Sequence, residues 1–177
     1  MRTAVIRFPG SNCDRDIADI LSQEYNHQVS FIWHKESFEK HYDLVVIPGG
    51  FSYGDYLRCG ALARFSPAMV SLKDHIDSGR LVLGICNGFQ ILVESGLLPG
   101  TLTRNKTLKH ICKNVNLKVG SKENPLTKNI SPDKILDIPI SHGEGSYFAD
   151  ADTLKQLADE DRVLFRYAGE NPNGSLD

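Results

Sequence analysis

The 177-residue chain is poor in cysteine and tryptophan and has no long apolar run, and each shortage removes a class of protein. Its four cysteines, Cys13, Cys59, Cys86 and Cys112, lie 46, 27 and 26 residues apart with no C-x-x-C pair, which excludes a disulfide scaffold and predicts a reducing, cytoplasmic home. No segment reaches the roughly 18 apolar residues of a membrane span, and Arg7, Pro9 and Gly10 interrupt the N-terminal run where a secretion signal would need continuity. Twenty Lys and Arg against 22 Asp and Glu leave a net charge of −2, so there is no global attraction to nucleic acid or anionic membrane. There is no G-x-x-x-x-G-K-[ST] phosphate loop. His110-x-Cys112 is the one close His/Cys pair, without the second pair a zinc site needs, and no metal is expected. A C-x5-R phosphatase loop is excluded because positions 19, 65, 92 and 118 hold Asp19, Phe65, Leu92 and Lys118.

What is present is ordinary globular composition, 41% hydrophobic and 24% charged, in a length that suits one domain with one core. Residues 1–177 contain no repeat, low-complexity tract or linker. Short β-rich runs recur at Thr3 to Phe8, Val29 to His34, Leu44 to Pro48 and Leu81 to Ile85, separated by stretches of helical character. Between the first two, Ile17, Ala18, Ile20 and Leu21 form one buried helical face within Asp14 to Tyr25, with Asn12 or Asp14 as its cap. Leu44 to Ile47 lacks polar alternation, as a strand covered on both faces does. The alternation predicts an α/β fold, an open and mostly parallel sheet with helices on both faces. After about residue 100 the pattern changes to strands at Val115 to Val119, Ile135 to Ile140 and Val163 to Tyr167, with a helix at Ala151 to Ala158. Ligands of open α/β sheets gather beyond the carboxyl ends of the strands, which directs attention to the loops after Pro48 and Ile85.

The second of these loops is the most informative segment. Leu81 to Leu92 reads as an apolar strand running through Gly84-Ile85-Cys86-Asn87-Gly88 into an apolar helix, a nucleophile elbow with sulfur in place of oxygen. With 15 glycines and four cysteines in 177 residues, chance supplies about 0.03 matches to G-x-C-x-G. Such a turn is strained at its centre, and Gly84 and Gly88 clear the space a β-carbon would fill. At a helix start the Cys86 thiolate is favoured by ~0.3–1 kcal/mol, so an added base is still wanted. Attack on a carbonyl also requires donors for the oxyanion. The backbone N–H of Asn87 is one candidate, and Gly50, in the strand-end sequence Val46 to Phe51, is the other.

Together with Gly84 to Gln90, the strings P-G-G-F-S-Y-G-D-Y-L-R-C-G at 48–60, P-G-S-N-C-D-R-D at 9–16 and P-I-S-H-G-E-G-S-Y-F at 139–148 resemble the class I glutamine amidotransferases. The resemblance is narrowest to the glutaminase subunits of phosphoribosylformylglycinamidine synthase, and it extends along the whole chain. It implies a flavodoxin-like amidotransferase fold in which Cys86 attacks the glutamine side-chain amide to form a thioester, releasing ammonia. It implies that Gly50 and Asn87 hold the oxyanion, and that Gln90 with the backbone at Ser141, Gly143 and Glu144 binds glutamine. It further implies a large synthetase subunit, with a small accessory one, that uses ATP and Mg to make formylglycinamidine ribonucleotide for purine biosynthesis. No cofactor is expected on this chain itself.

One element of that family is missing from the string. Its catalytic His and Glu lie two residues apart in a P-H-P-E type motif, so the pair is expected beyond Asp177 and the domain at 1–177 is expected to lack its C-terminal end. His142 and Glu144 offer an alternative, since residues i and i+2 of a strand share a face. The remaining histidines read more plainly: His27, His41, His75 and His110 as solvated, and His34 as facing the crevice. The scattered Arg58, Arg64, Arg104, Lys106 and Lys109 read as a solvated face. Two other functions stay in view. One is a cysteine hydrolase like DJ-1 and protease I, which commonly carry His directly after the nucleophile where this chain has Asn87. The other is a non-catalytic interaction module, if the chain ends at Asp177.

Overall fold

The structure, a computed structural model, describes residues 1–39, 41–55 and 58–174. Tyr56 and Leu57 of the long glycine-rich string, and residues 175–177, lie outside them. The chain divides into two compact units, Met1–Leu98 and Pro99–Asp177.

The first unit is a parallel four-stranded sheet in the order β2-β1-β3-β4, formed by β1 (Arg2–Arg7), β2 (Gln28–Trp33), β3 (Leu44–Ile47) and β4 (Leu81–Gly84). Helices α1 (Asp14–Gln23), α2 (Cys59–Ala63), α3 (Pro67–Asp77) and α4 (Asn87–Glu94) connect or follow these strands. Because side chains alternate along a strand, the two central strands feed two different cores. Ala4, Ile6, Val45 and Ile47 pack with Ala63, Met69, Leu72 and Ile91 on one face, whereas Val5 and Val46 meet Leu21 on the other. Helix α1 therefore covers one face and α2 to α4 the other, as the apolar runs imply.

Several local expectations need correction. Neither Asn12 nor Asp14 caps α1: Cys13 holds the cap position without a side-chain bond, and Asp14, inside the first turn, is buried in an ion pair with Arg7. His75 is not solvated. It is completely buried on α3, where Ala68, Met69, Leu72 and His75 share one face, and its Nε2 donates to the Leu81 carbonyl at 3.1 Å. His34 is also buried, its Nδ1 bonded to the Tyr53 hydroxyl at 3.0 Å.

The second unit is antiparallel. Strands β5 (Thr101–Thr103) and β8 (Ser146–Phe148) form a pair, and β6 (Ile111–Val119), β7 (Leu136–His142) and β9 (Phe165–Tyr167) form a sheet in the order β7-β6-β9. Helix α5 (Ala151–Asp159) is capped by Asp150, which accepts from the Thr153 N–H at 2.8 Å. Among the described residues no helix is long and apolar enough to cross a membrane.

Candidate active site

Strand β4 ends at Gly84, and two residues later Cys86 takes φ 51° and ψ −110° before α4 begins at Asn87. A non-glycine residue there is strained, and the surroundings show why the turn holds. A β-carbon on Gly88 would stand 2.0 Å from the Ile47 carbonyl oxygen of β3, and one on Gly84 would stand 2.9 Å from the Gly88 carbonyl. Only glycines let α4 approach the sheet this closely, so the predicted elbow is the observed one. Its product is an exposed Cys86 at the head of a helix.

The thiol is not ionised by its setting alone. Protein packed around the sulfur pushes the Cys86 pKa up; the Asn87 N–H opposes this, while Cys13 and Asp55 add to it. The elbow thus presents a strained, reachable thiol that needs a base to become a nucleophile.

The loop after β3 is tied to the elbow. Gly50, at φ +143°, forms an antiparallel bridge with Ser11. The bridge is closed by the flanking bonds Phe51 N–H to Gly10 O, 2.9 Å, and Asn12 N–H to Gly49 O, 3.3 Å. In that kind of pair the N–H of Gly50 points away from Ser11, as an oxyanion donor must. A β-carbon on Gly50 would lie 2.5 Å from the Asn12 nitrogen, so the position tolerates glycine alone. Neighbouring Gly49 sits between two thiols: a β-carbon there would be 3.5 Å from both the Cys13 sulfur and the Cys86 β-carbon. That Cys13 of the 9–16 string stands beside the elbow has no signal in the sequence pattern.

Asn87 does more than offer a backbone N–H. Its buried side chain accepts from the Ser52 N–H at 3.2 Å and donates to Gln90 Oε1 at 3.0 Å and to the Cys59 sulfur at 3.2 Å. It therefore fastens the 48–60 string to α4 and orients Gln90. Nearby, Glu94 accepts from the Gly60 N–H at 2.7 Å. Burial, Glu94 and Asp55 push the Cys59 thiol up to about 12, marking it as an inert structural cysteine beside the elbow.

The remaining candidate residues lie within the second unit. Ser141 and His142 end β7; Gly143 and Glu144 lie in the loop that follows, so the same-face strand geometry proposed for His142 and Glu144 is absent. His142 Nδ1 lies 2.9 Å from Asn105 Oδ1, and the Glu144 carboxylate is 3.8 Å from Arg104. Burial, then His110, keeps the His142 pKa low, so the ring is neutral near pH 7. Ser141 Oγ meets His110 Nε2 at 2.9 Å, an ordinary use for the one histidine with a neighbouring cysteine. Among the described residues no group of three or more His, Cys, Asp or Glu is arranged to hold a metal ion.

Comparison with known proteins places this geometry. A family model described as a CobB/CobQ-like glutamine amidotransferase domain matches residues 1–177. The chain is 61% identical over 177 residues to phosphoribosylformylglycinamidine synthase subunit PurQ of Leptospira interrogans, covering all of this chain and 81% of that protein. It is 53% identical over 176 residues to the subunit PurQ of Trichormus variabilis, covering 99% of this chain and 79% of that protein. Among solved structures, PurLQS from Thermotoga maritima superposes with a TM-score of 0.83 at 39% identity, over 98% of this chain and 77% of that one. The chain belongs to the CobB/CobQ-like glutamine amidotransferase family and, within it, to the PurQ glutaminase subunits of phosphoribosylformylglycinamidine synthase in purine biosynthesis.

Proposed function

We propose that Cys86 is the nucleophile with which this glutaminase opens glutamine, and that the exposed, strained elbow is the observation that carries the assignment. The thiolate adds to the side-chain carboxamide carbon. The carbon–nitrogen bond then breaks, ammonia leaves with a transferred proton, and water hydrolyses the glutamyl thioester to glutamate and free thiol. The N–H groups of Gly50 and Asn87 hold the oxyanion; a donor of this kind is worth ~2.7–4 kcal/mol in the transition state. Gln90, held by Asn87, and the backbone of Ser141, Gly143 and Glu144 bind the glutamine. The upward pressure on the Cys86 thiol calls for an imidazole base, worth ~10²–10⁴-fold.

The ammonia serves a synthetase partner. PurLQS of Thermotoga maritima is a structure of L, Q and S subunits together, which supports a large synthetase and a small accessory subunit as partners of this chain. ATP and Mg act on the large subunit, in keeping with a sequence that lacks a phosphate loop, and this chain requires no cofactor of its own. Its home is the cytoplasm, which suits four free cysteines.

The test uses the assembled synthetase. Cys86→Ala is expected to abolish glutamine-dependent synthesis of formylglycinamidine ribonucleotide while ammonia-dependent synthesis continues. Loss of both, or retention of both, refutes the assignment.

A further inference from the structure

We infer that Asn105 is a positioning residue for glutamine, its buried carboxamide serving as the template that shapes the chain from His142 to Gly145. The inference rests on the reading above that the backbone of Ser141, Gly143 and Glu144 binds glutamine. It assigns a role to a residue that lies in none of the recognised strings.

Asn105 sits in the loop between β5 and β6 and is completely buried. Its Nδ2 donates to the carbonyls of His142 and Lys109, both at 2.9 Å. Its Oδ1 accepts from the Gly145 N–H at 3.1 Å and faces His142 Nδ1 at 2.9 Å, while its backbone N–H donates to the Gly143 carbonyl at 3.0 Å. Two donors and two acceptor sites exhaust what a carboxamide offers, so the side chain is fully committed.

Four of the five bonds run to residues 142, 143 and 145, on either side of Gly143 and Glu144. A loop of this composition has no apolar side chain with which to fix itself, and glycines at 143 and 145 leave many backbone states open. Asn105 selects one of them.

The network also settles two matters of chemistry. Two carbonyls on one side and a backbone N–H on the other permit one orientation of the amide, since the reverse would set like groups together. With Oδ1 facing His142, the ring must carry its proton on Nδ1. The ring then lies over Gly145, where a β-carbon would stand 2.5 Å from its Cε1. A second carboxamide holds the same segment: Asn173, whose carbonyl accepts from the Lys106 N–H at 3.1 Å, donates through Nδ2 to the Gly145 carbonyl at 2.7 Å and to the Tyr167 hydroxyl at 2.9 Å. The segment is thus held by two buried carboxamides.

The experiment measures glutamine-dependent kinetics in the assembled synthetase. Asn105→Ala leaves several buried backbone groups without partners, and the KM for glutamine is expected to rise by about 10- to 100-fold while kcat falls by less than about threefold. Asn105→Asp keeps the size and the acceptors but loses the donors, and a smaller rise in KM is expected. If the alanine variant fails to fold, this second variant gives the same readout. Val115→Ala, which opens the same unit away from the loop, is the structural control and should leave KM unchanged. Independently of any variant, the His142 ring nitrogens of the wild-type chain should show the Nδ1–H tautomer by NMR. A wild-type KM in the Asn105 variants, an equal rise with Val115→Ala, or an Nε2–H tautomer overturns the inference. If Cys86→Ala remains active with glutamine, it is the functional reading that fails; if Cys86→Ala is dead and the Asn105 variants bind normally, only this inference fails.

Discussion

The two units reach order by different means. In Met1–Leu98 the described residues bury eighteen apolar side chains, from Ala4 to Val93, whereas Pro99–Asp177 buries three, Leu102, Val115 and Ala149, fewer than its four buried polar residues Asn105, Ser121, Thr127 and Asn173. The elbow is shaped by close packing of backbone against backbone, at Gly88 on Ile47 and Gly84 on Gly88. The 142–145 segment is shaped by carboxamides that bond the His142 carbonyl and both backbone groups of Gly145. Close packing is non-directional and tolerates no added volume; a hydrogen-bonded loop tolerates volume but not the loss of a donor. The proposed nucleophile, Cys86, held in a strained state, sits on the first kind of support. The proposed substrate-binding backbone sits on the second.

The largest expected effect follows from that difference. Gly88→Ala would force a methyl group to within 2.0 Å of a carbonyl in the central strand β3, which has no room to retreat. Displacing α4 moves Cys86 and Asn87 together, and a shift of about 1 Å is enough to reduce turnover ~10²-fold. Gly143→Ala is the counterpart, because a β-carbon there meets nothing within 4 Å, and thermal stability should change by less than about 0.5 kcal/mol. Equal losses of stability in the two variants would break the distinction between packed and hydrogen-bonded support.

A leucine-for-leucine comparison sharpens it next. Leu72 is completely buried in the main core beside Met69 and Ile91, and Leu72→Ala should destabilise by about 4 kcal/mol, since its rigid surroundings collapse little around the cavity. Leu102, on a three-residue strand in the apolar-poor unit, should lose only about 2 kcal/mol on the same change. Chemical denaturation of both variants checks the ranking. A smaller loss belongs to Ser66→Ala, which removes the acceptor that caps α3 at Met69 and should remove about 1 kcal/mol.

The same contrast governs what could be seen in advance. Strands β1 and β3 were legible because burial on both faces demands uninterrupted apolar residues, and α1 because one face repeats at helical spacing. The elbow was legible because a strained turn needs glycine two positions to either side of Cys86. Strand β6 begins at Ile111, four residues before the Val115 at which its pattern first shows, because Cys112, Lys113 and Asn114 are all exposed and impose no alternation. Strands β5 and β8 are three residues each, too short to display a period. Asn105 carried no signal at all, since its partners lie 37 and 40 residues further on. His75 did carry one that the reading as a solvated histidine passed over: it stands three residues after Leu72 and seven after Ala68, on the apolar stripe of α3.

The smallest shift is expected from acid, and it too separates the units. Burial lowers the pKa of His34 and His75 in the first unit and of His142 in the second. A histidine whose folded pKa lies below its unfolded one contributes its full stability above pH ~6.5 and loses it as pH falls from there toward the folded value. The three rings differ in where the second proton would go. His75, whose Nε2 donates to the Leu81 carbonyl, takes it on the buried and unpartnered Nδ1, and a protonated His34 holds a buried Nε2–H with nothing to accept it. His142 already carries its proton on Nδ1, toward Asn105, and takes the second on Nε2, which is not among the buried unpartnered atoms. The fall in melting temperature between pH 7.5 and pH 5.5 should therefore shrink more in His75→Leu than in His142→Gln. Equal pH slopes in the two variants would mean that the packed unit is no less able than the hydrogen-bonded one to accommodate an added proton.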